Sequence, residues 1–264
     1  MLPTVEITRY VTPLREGSSL PALVEADDGR EYVIKFRGAG HGEKALIAEL
    51  LAGEIGQALG LPVPALVLAE LPEEIARGES HDEIRDLLGW SVGLNIGLGF
   101  IQGALGPDLA RPPAEGPEWA AEVVWFDDLV VNPDRTPRNA NLVVRDGRTW
   151  LIDHGSALYV HHAWNDPDEH AGRPFERIAD HVLLPFAGSI TDADARLTPR
   201  LGAEVRNGII DAIPDSWLRD GRFSGPGDER DAYRRYLELR LEARPTWVAE
   251  AERARGEVQR GAAA

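Results

Sequence analysis

The sequence contains no cysteine among its 264 residues. Disulfide bonds, zinc sites with cysteine ligands, iron–sulfur clusters and thiol nucleophiles are therefore excluded. No apolar run approaches the roughly 18 residues that a membrane-spanning helix needs. The first ten residues, Met1–Tyr10, include Glu6 and Arg9 and lack an apolar core, so they do not predict a signal peptide. We expect a cytoplasmic protein that has no membrane partner.

Basic residues are also fewer than acidic ones: the sequence has 28 basic and 44 acidic residues, which gives a net charge of −16. Such a charge disfavours nucleic acid, which proteins bind by neutralising phosphates with Lys and Arg. It disfavours anionic membrane surfaces for the same reason. Only Lys35 and Lys44 are lysines. Lys35 stands inside an apolar run, which indicates a specific role for a compact ammonium group.

The hydrophobic pattern changes along the chain. From Val5 to Phe36 it is typical of β-strands, with a hairpin turn at Asp27–Gly29. Residues Glu43–Leu59 have helical spacing, and Gly60 ends that helix. Beyond Phe175 the pattern predicts helices over residues 176–188, 192–212, 228–243 and 246–258. The sequence therefore predicts an α+β fold of bilobal arrangement.

A second hairpin is predicted in the middle of the chain, with strands Ala140–Val144 and Thr149–Asp153 joined through Asp146-Gly147. Continued outward, this pairing places Ala140 opposite Asp153, and Asn139 opposite His154. Paired residues in an antiparallel ladder lie about 5 Å apart, so Asn139 and Asp153 become near neighbours. An amide oxygen beside a carboxylate suits Mg²⁺, which takes few protein ligands.

Asp134 lies five residues before Asn139, on the loop that feeds the same strand. Beside a metal-bound triphosphate, an Asp can accept the proton of an incoming hydroxyl or orient that hydroxyl. Asp134-x4-Asn139, a hairpin and then Asp153-His154-Gly155 form the catalytic arrangement of kinases. The alternative is structural: Asp134 caps a turn, Asn139 bonds its own backbone and Asp153 ends a strand.

Two upstream residues fit this arrangement. Lys35 alternates with apolar neighbours on a strand, as a phosphate-binding lysine does, and a carboxylate on the following helix should pair with it. Glu49 and Glu54 are the candidates, and Glu49 lies nearer the apolar face. The alternatives are an exposed strand lysine and a solvated helix glutamate.

Two further segments are candidates for nucleotide binding. The turn before the first predicted hairpin could cradle phosphates with its backbone N–H groups, or it could be an ordinary turn. It consists of Gly17, Ser18 and Ser19. The apolar, glycine-rich stretch with Gly93, Gly97 and Gly99 reads as a strand leading to an interlobe hinge rather than as a phosphate loop. That hinge would place near the adenine the residues Phe100, Ile101 and Gln102.

Other polar residues near the predicted site have several interpretations. Arg135 and Arg138 could meet a substrate phosphate, meet an internal carboxylate or be exposed loop residues. A histidine-rich stretch follows the second hairpin and could suggest a metal site, although its spacing favours a surface loop. It contains His161, His162, Asp166 and His170.

Several stretches resemble the HipA-like kinases, a bacterial group whose catalytic core is similar to that of phosphatidylinositol kinases. They are Tyr32–Phe36, the Glu49 helix running into Leu59–Pro64, Phe126–Leu142 and Leu151–Gly155. The resemblance implies that Asp134 is the catalytic Asp and that Asn139 and Asp153 hold Mg²⁺. It implies that Lys35 contacts the α- and β-phosphates of ATP and that Glu49 orients Lys35.

The resemblance also predicts a protein-kinase-like fold with an N-lobe over residues 1–102 and a C-lobe over residues 103–264. It implies phosphoryl transfer to an unknown hydroxyl acceptor, with a protein Ser or Thr favoured. A pseudokinase module, or a small-molecule or lipid kinase, is the alternative. Compared with HipA toxins, we expect a short form without their extra N-terminal subdomain. Asn132-Pro133 replaces the His-Arg before Asp134, and His154 replaces a Phe, so neither a toxin role nor an antitoxin partner is predicted.

Overall fold

The computed structural model describes residues 2–14, 20–40, 42–79 and 81–262. In its first part a mixed sheet closes into a five-stranded barrel of order β1-β2-β3-β5-β4. Neighbouring strands are antiparallel except β1 and β4, which run parallel and close the barrel. The strands are β1 (Thr4–Pro13), β2 (Ala22–Ala26), β3 (Glu31–Lys35), β4 (Leu66–Leu71) and β5 (Gly93–Gly99).

Gly97 fits the barrel because it has no side chain. A Cβ at this position would lie 2.8 Å from Val67 Cγ2 and 2.9 Å from Ile34 Cδ1, closer than packed carbon atoms approach. The strand predicted over this glycine-rich stretch is confirmed, since β5 spans Gly93–Gly99. Gly97 allows the neighbouring side chains to pack against the strand.

Three helices accompany the barrel. They are α1 (Glu43–Ala58), α2 (Glu73–Gly78) and α3 (Asp82–Trp90). The predicted bounds of α1 are correct within one residue. Its residues are buried on nearly all sides, because it lies between the barrel and the helices of the second part. Glu49 is thereby held in the interior.

The second part is helical around a hairpin, as predicted. The hairpin is formed by β6 (Leu142–Arg145) and β7 (Arg148–Leu151). The helices are α4 (Pro117–Leu129), α5 (Pro167–Gly172), α6 (Ile190–Leu197), α7 (Ala203–Asp211), α8 (Pro226–Glu242) and α9 (Arg244–Ala262). The structure thus has the mixed α+β composition that the sequence predicts.

Two predicted helices are wrong. Residues 176–188 form two short 3₁₀ turns, Glu176–Asp180 and Leu184–Phe186, instead of one α-helix. Residues 192–212 are divided between α6 and α7, with a 3₁₀ turn, Thr198–Arg200, between them. Pro185 and Pro199 lie at these breaks, and a proline has no N–H to donate within a helix.

Two hydrophobic clusters form the core. One consists of buried residues of the barrel together with buried residues of α2 and α3. The other joins α1 and part of β4 and β5 to α4 and the C-terminal helices. None of the described helices is both long and apolar enough to cross a membrane.

Candidate active site

Lys35 lies at the end of β3 with only 6% of the residue exposed. Its Nζ donates hydrogen bonds to Glu49 Oε2 and to Asp153 Oδ1, the second at 2.5 Å. Glu49 is the predicted partner on α1, and it is completely buried. The alternatives of an exposed strand lysine and a solvated helix glutamate are therefore wrong, and Glu54 is not the partner.

The Lys35–Glu49 pair is charged at neutral pH. Burial works to lower the pKa of Lys35, but Glu49 and Asp153 outweigh it and raise that pKa above its usual value. Burial alone would raise the pKa of Glu49, whereas Lys35 and His154 lower it to about 2. The Lys35 ammonium group at the end of β3 thus contacts two carboxylates, the buried one of Glu49 and the more exposed one of Asp153.

Asp153-His154-Gly155 follows β7 and wraps around this pair. Asp153 has a left-handed backbone, with φ of 56°. The next N–H, that of His154, donates to Glu49 Oε2 at 2.8 Å, and His154 Nδ1 lies 3.2 Å from Glu49 Oε1. A Cβ at Gly155 would lie 3.3 Å from Lys35 Nζ, so a glycine lets the chain pass this close. The sequence located the segment but did not predict the His154 contact; the polar ring between Asp and Gly was its only signal.

Asp134 lies on the loop after α4, where two asparagines hold its carboxylate. Asn139 Nδ2 donates to Asp134 Oδ2 at 3.0 Å, and Asn141 Nδ2 donates to the same oxygen at 3.2 Å and to the Asp134 carbonyl at 3.0 Å. The Asp134 N–H in turn donates to Asn132 Oδ1 at 3.1 Å. Each amide group donates to Asp134 through its Nδ2 atom. The Oδ1 atom of each amide is a separate acceptor, so it can serve as a metal ligand.

The hairpin has the predicted turn but a shorter ladder. Arg145 pairs with Arg148 across Asp146-Gly147, whose φ values of 52° and 77° suit a two-residue turn. The ladder ends at the pair Leu142–Leu151, so the predicted pairing of Ala140 with Asp153, and of Asn139 with His154, is wrong.

The ladder ends because the chain turns at both exits. Asn141 and Asp153 have φ values of 49° and 56°, which break extended pairing. The last contact is a 3.1 Å hydrogen bond from the Ile152 N–H to the Asn141 carbonyl. Asn141 is therefore the asparagine next to the exit of β7, and sequence reasoning missed it. Extending the register one step from Leu142 would have found it.

Arg135 anchors the loop that carries Asp134 to buried groups of the protein. It is buried, its Nε donates to Asp127 Oδ2 at 2.5 Å, and its Nη1 donates to the Asn141 carbonyl. His181 Nε2 lies 2.9 Å from the same Asp127 oxygen. Burial would raise the pKa of Asp127, but Arg135 and His181 hold it below its usual range. The internal-carboxylate interpretation is correct for Arg135, while Arg138 is exposed.

A cavity of about 600 Å³ opens between the barrel and the hairpin, a size within the range of small-molecule sites. Its polar lining residues are Lys35, Asn139, Asn141 and Asp153. Its apolar walls are formed by Pro13, Leu14, Pro21, Val33, Pro64, Leu98, Gly99, Phe100, Ile101, Ala104, Val143 and Ile152.

The predicted nucleotide segments lie differently around this cavity. Phe100 and Ile101 line it, and the Ile101 N–H has no hydrogen-bond partner within the described ranges. Gln102 is exposed and lines a separate surface depression with the β2–β3 turn. Gly17, Ser18 and Ser19 lie outside the described residues, although Leu14 and Pro21 on either side of them line the cavity.

Two side chains of the histidine-rich stretch contact tyrosines of α8. His161 is buried, with Nδ1 3.0 Å from the Tyr233 hydroxyl, so the surface-loop interpretation is wrong for this residue. His170 Nδ1 lies 3.1 Å from the Tyr236 hydroxyl. Across residues 2–14, 20–40, 42–79 and 81–262, no three His, Asp or Glu side chains are grouped so that they could hold a metal ion.

The oxygen donors that line the cavity fit Mg²⁺ bound together with a nucleotide. Mg²⁺ prefers one or two protein oxygens and completes its shell with phosphate oxygens and water. The carboxylate of Asp153 and the amide oxygens of Asn139 and Asn141 are such donors, and all three residues line the same cavity. A protein-only cage of three carboxylates is not needed.

Comparisons with known proteins relate the chain to kinases. The family model described as HipA-like kinase matches residues 5–225. The crystal structure of the proinflammatory kinase CtkA of Helicobacter pylori superimposes with a TM-score of 0.58 over 97% of this chain and 99% of that one, at 13% sequence identity. At this identity the likeness concerns the fold. No curated protein matches the sequence.

Proposed function

The chain belongs to the HipA-like kinase family, and from that premise we propose that it transfers the γ-phosphoryl group of ATP to a Ser or Thr hydroxyl of a protein, with Mg²⁺. One observation carries the proposal. Lys35, paired with Glu49, contacts Asp153 in a cavity whose other lining residues are mostly apolar. The charged groups suit a triphosphate, and the apolar walls suit an adenine.

The proposed architecture is bilobal. Residues 1–102 would form an N-lobe around the barrel, and residues 103–264 would form a C-lobe with the hairpin and helices. The position of the cavity supports this division, because β3 and β5 line one of its sides and the hairpin lines the other. Nucleotides commonly bind at such junctions.

In the proposed complex the adenine packs between Val33 and Leu98 on one side and Val143 and Ile152 on the other. The backbone N–H of Ile101 donates to the ring. The Lys35 ammonium contacts the α- and β-phosphates, and Glu49 keeps it extended toward them.

Asp134 acts on the acceptor. Its carboxylate, oriented by Asn139 and Asn141, receives the hydroxyl proton as the acceptor oxygen bonds to the γ-phosphorus and the bond from that phosphorus to ADP breaks. Bound Mg²⁺, held by Asp153 and an asparagine oxygen, would neutralise charge on the phosphates.

A surface groove beside Asp134 supports a polypeptide acceptor. It measures about 510 Å³, and one of its lining residues is Pro133, the residue before Asp134. Tyr159 on its rim is 66% exposed. The other lining residues are Val131, His170, Arg173, Pro174, Phe175, Glu176 and Arg177. An open groove with an aromatic rim suits an extended chain segment, and the net charge of −16 disfavours an anionic lipid surface.

The test is the substitution Asp153→Asn, because Asn keeps the shape and tolerates the left-handed backbone. We expect Mg²⁺-dependent phosphate transfer from labelled ATP to a cell extract to fall at least about 100-fold, since one metal-binding charge is lost. Asp146→Asn, in the exposed hairpin turn, is the matched control and should keep full activity. Nucleotide binding by the wild-type chain without any transfer would instead identify a pseudokinase.

A further inference from the structure

His154 occupies an unusual place for a histidine. It is completely buried, and its ring meets Phe126 edge-on at 5.7 Å between centroids. Its Nδ1 faces Glu49 Oε1 at 3.2 Å, while its Nε2 has no partner within the part of the chain that the structure describes. A phenylalanine would fill this space without leaving a polar nitrogen unpaired, so packing alone does not explain a histidine here.

The contact closes a ring of interactions. Lys35 joins Glu49 to Asp153, and the peptide unit between Asp153 and His154 joins that carboxylate to the histidine. His154 then returns to Glu49 twice, through its backbone N–H at 2.8 Å and through Nδ1. Both oxygens of the Glu49 carboxylate are therefore fixed, one of them by the ring of His154.

The direction of the ring contact follows from its partner. An ionised carboxylate beside an ammonium group only accepts hydrogen bonds, so Nδ1 must carry the proton. A bond from N–H to a buried carboxylate is stronger than one between neutral groups. Its loss would leave Glu49 Oε1 without a donor in the interior.

We propose that His154 is a positioning residue, whose Nδ1–H group locks the Glu49 carboxylate so that α1, Lys35 and Asp153 move as one unit. The proposal rests on the proposed function for its consequence, which is the alignment of Lys35 and Asp153 with the phosphates. Its structural content, a proton on Nδ1 directed at Glu49, is independent of any activity.

Two substitutions separate the hydrogen bond from the packing. His154→Asn places an amide N–H near the position of Nδ1, whereas His154→Phe fills the volume and donates nothing. His81→Phe is the control, because His81 is exposed just before α3 and lies outside this ring. We expect kcat for ATP turnover to fall about tenfold or more in His154→Phe, the loss of one bond to a charged group. His154→Asn should retain kcat within about threefold, and KM for ATP should change less than kcat in both variants.

The second measurement is the ¹⁵N spectrum of histidine-labelled protein near neutral pH, with the His154 signals assigned by their absence in His154→Asn. We expect the proton on Nδ1. A proton on Nε2 alone would overturn the proposal, as would a His154→Phe variant with kcat within twofold of wild type, or equal losses in Phe and Asn. If the wild-type chain turns over no ATP, the proposed function fails and the spectrum decides on the His154 contact.

Discussion

Asn139 and Asn141 both reach Asp134, but their surroundings differ. Asn139 is exposed, while Asn141 is half-buried, and its carbonyl accepts hydrogen bonds from Arg135 and from the Ile152 N–H. Asn141 is thus fixed at the exit of the hairpin next to Asp153, whereas Asn139 has the kinase spacing from Asp134. Geometry and spacing favour different residues as the Mg²⁺ ligand.

We predict that Asn141→Ala lowers kcat about 100-fold and raises the Mg²⁺ concentration needed for half-maximal turnover, because it removes an oxygen of the proposed Mg²⁺ site and a support of Asp134. Asn139→Ala should lower kcat about tenfold or less. Turnover measured across a Mg²⁺ titration compares them directly. A larger loss in Asn139→Ala would restore the assignment based on spacing.

At the residue scale, what could be predicted depended on regular structure. Lys35 and Glu49 lie on a strand and a helix, whose periods fix the direction of each side chain, so their pairing could be anticipated. Asn141 and His154 depend on chain reversals at Asn141 and Asp153, both with positive φ. Asn and Asp adopt this conformation more often than other non-glycine residues, but outside a tight turn the residue type alone does not say where they do so.

At the scale of elements, α1 connects the two parts of the molecule, and Lys44 fixes its first turn. Lys44 Nζ donates to the His161 carbonyl and, at 2.6 Å, to Asp220 Oδ2. Arg222 bonds the same Asp220 and the carbonyls of the segment around His162. Lys44 therefore connects α1, and Lys35 connects β3, to residues that follow the hairpin.

We predict that Lys44→Met destabilises the protein by about 1–2 kcal/mol, the value of a partly buried bond to a charged group, since Arg222 still pairs with Asp220. Amide hydrogen exchange should quicken in the 3₁₀ turn Tyr159–His162. Urea unfolding and exchange mass spectrometry measure the two effects.

The control is Arg77→Met on α2, where an exposed pair with Glu73 should contribute less than about 0.5 kcal/mol. Equal losses in Lys44→Met and Arg77→Met, with unchanged exchange in the turn, would show that Lys44 forms only a surface contact.

Element boundaries show the same division between local and tertiary information. The α1 helix and the β6–β7 turn were predictable, because caps and turn residues lie within a few positions of each other. The breaks at Pro185 and Pro199 were visible in the sequence, but apolar spacing alone extends across them. The barrel was not predictable, because its closure depends on the parallel pairing of β1 with β4, in which Thr4 meets Leu68, 64 positions further along the chain.

At the scale of the whole molecule, buried acids make stability depend on pH in opposite directions. The pKa values of Glu49 and Asp127 are lowered in the folded protein, so both favour folding when ionised. Burial raises the pKa of Asp128 well above its usual value although Arg240 bonds it, so Asp128 favours folding when protonated. Acid also reduces the repulsion within a chain of net charge −16. A pH curve of the wild type alone would therefore mix several terms.

One substitution isolates what the charge of the Glu49 carboxylate contributes to the stability of the fold. Its pKa falls from 4.5 to about 2 on folding, so its contribution is complete above pH 4.5 and is lost as pH falls toward 2. Glu49→Gln resembles the protonated acid at every pH. We predict that urea unfolding at pH 7 shows this variant less stable than wild type by about 3 kcal/mol, and that the difference narrows below pH 4.5 and vanishes near pH 2. Glu238→Gln, at an exposed position on α8, should follow the wild-type curve throughout. Parallel curves for Glu49→Gln and wild type down to pH 2 would mean that the Lys35–Glu49 pair stabilises the fold through shape and not through charge.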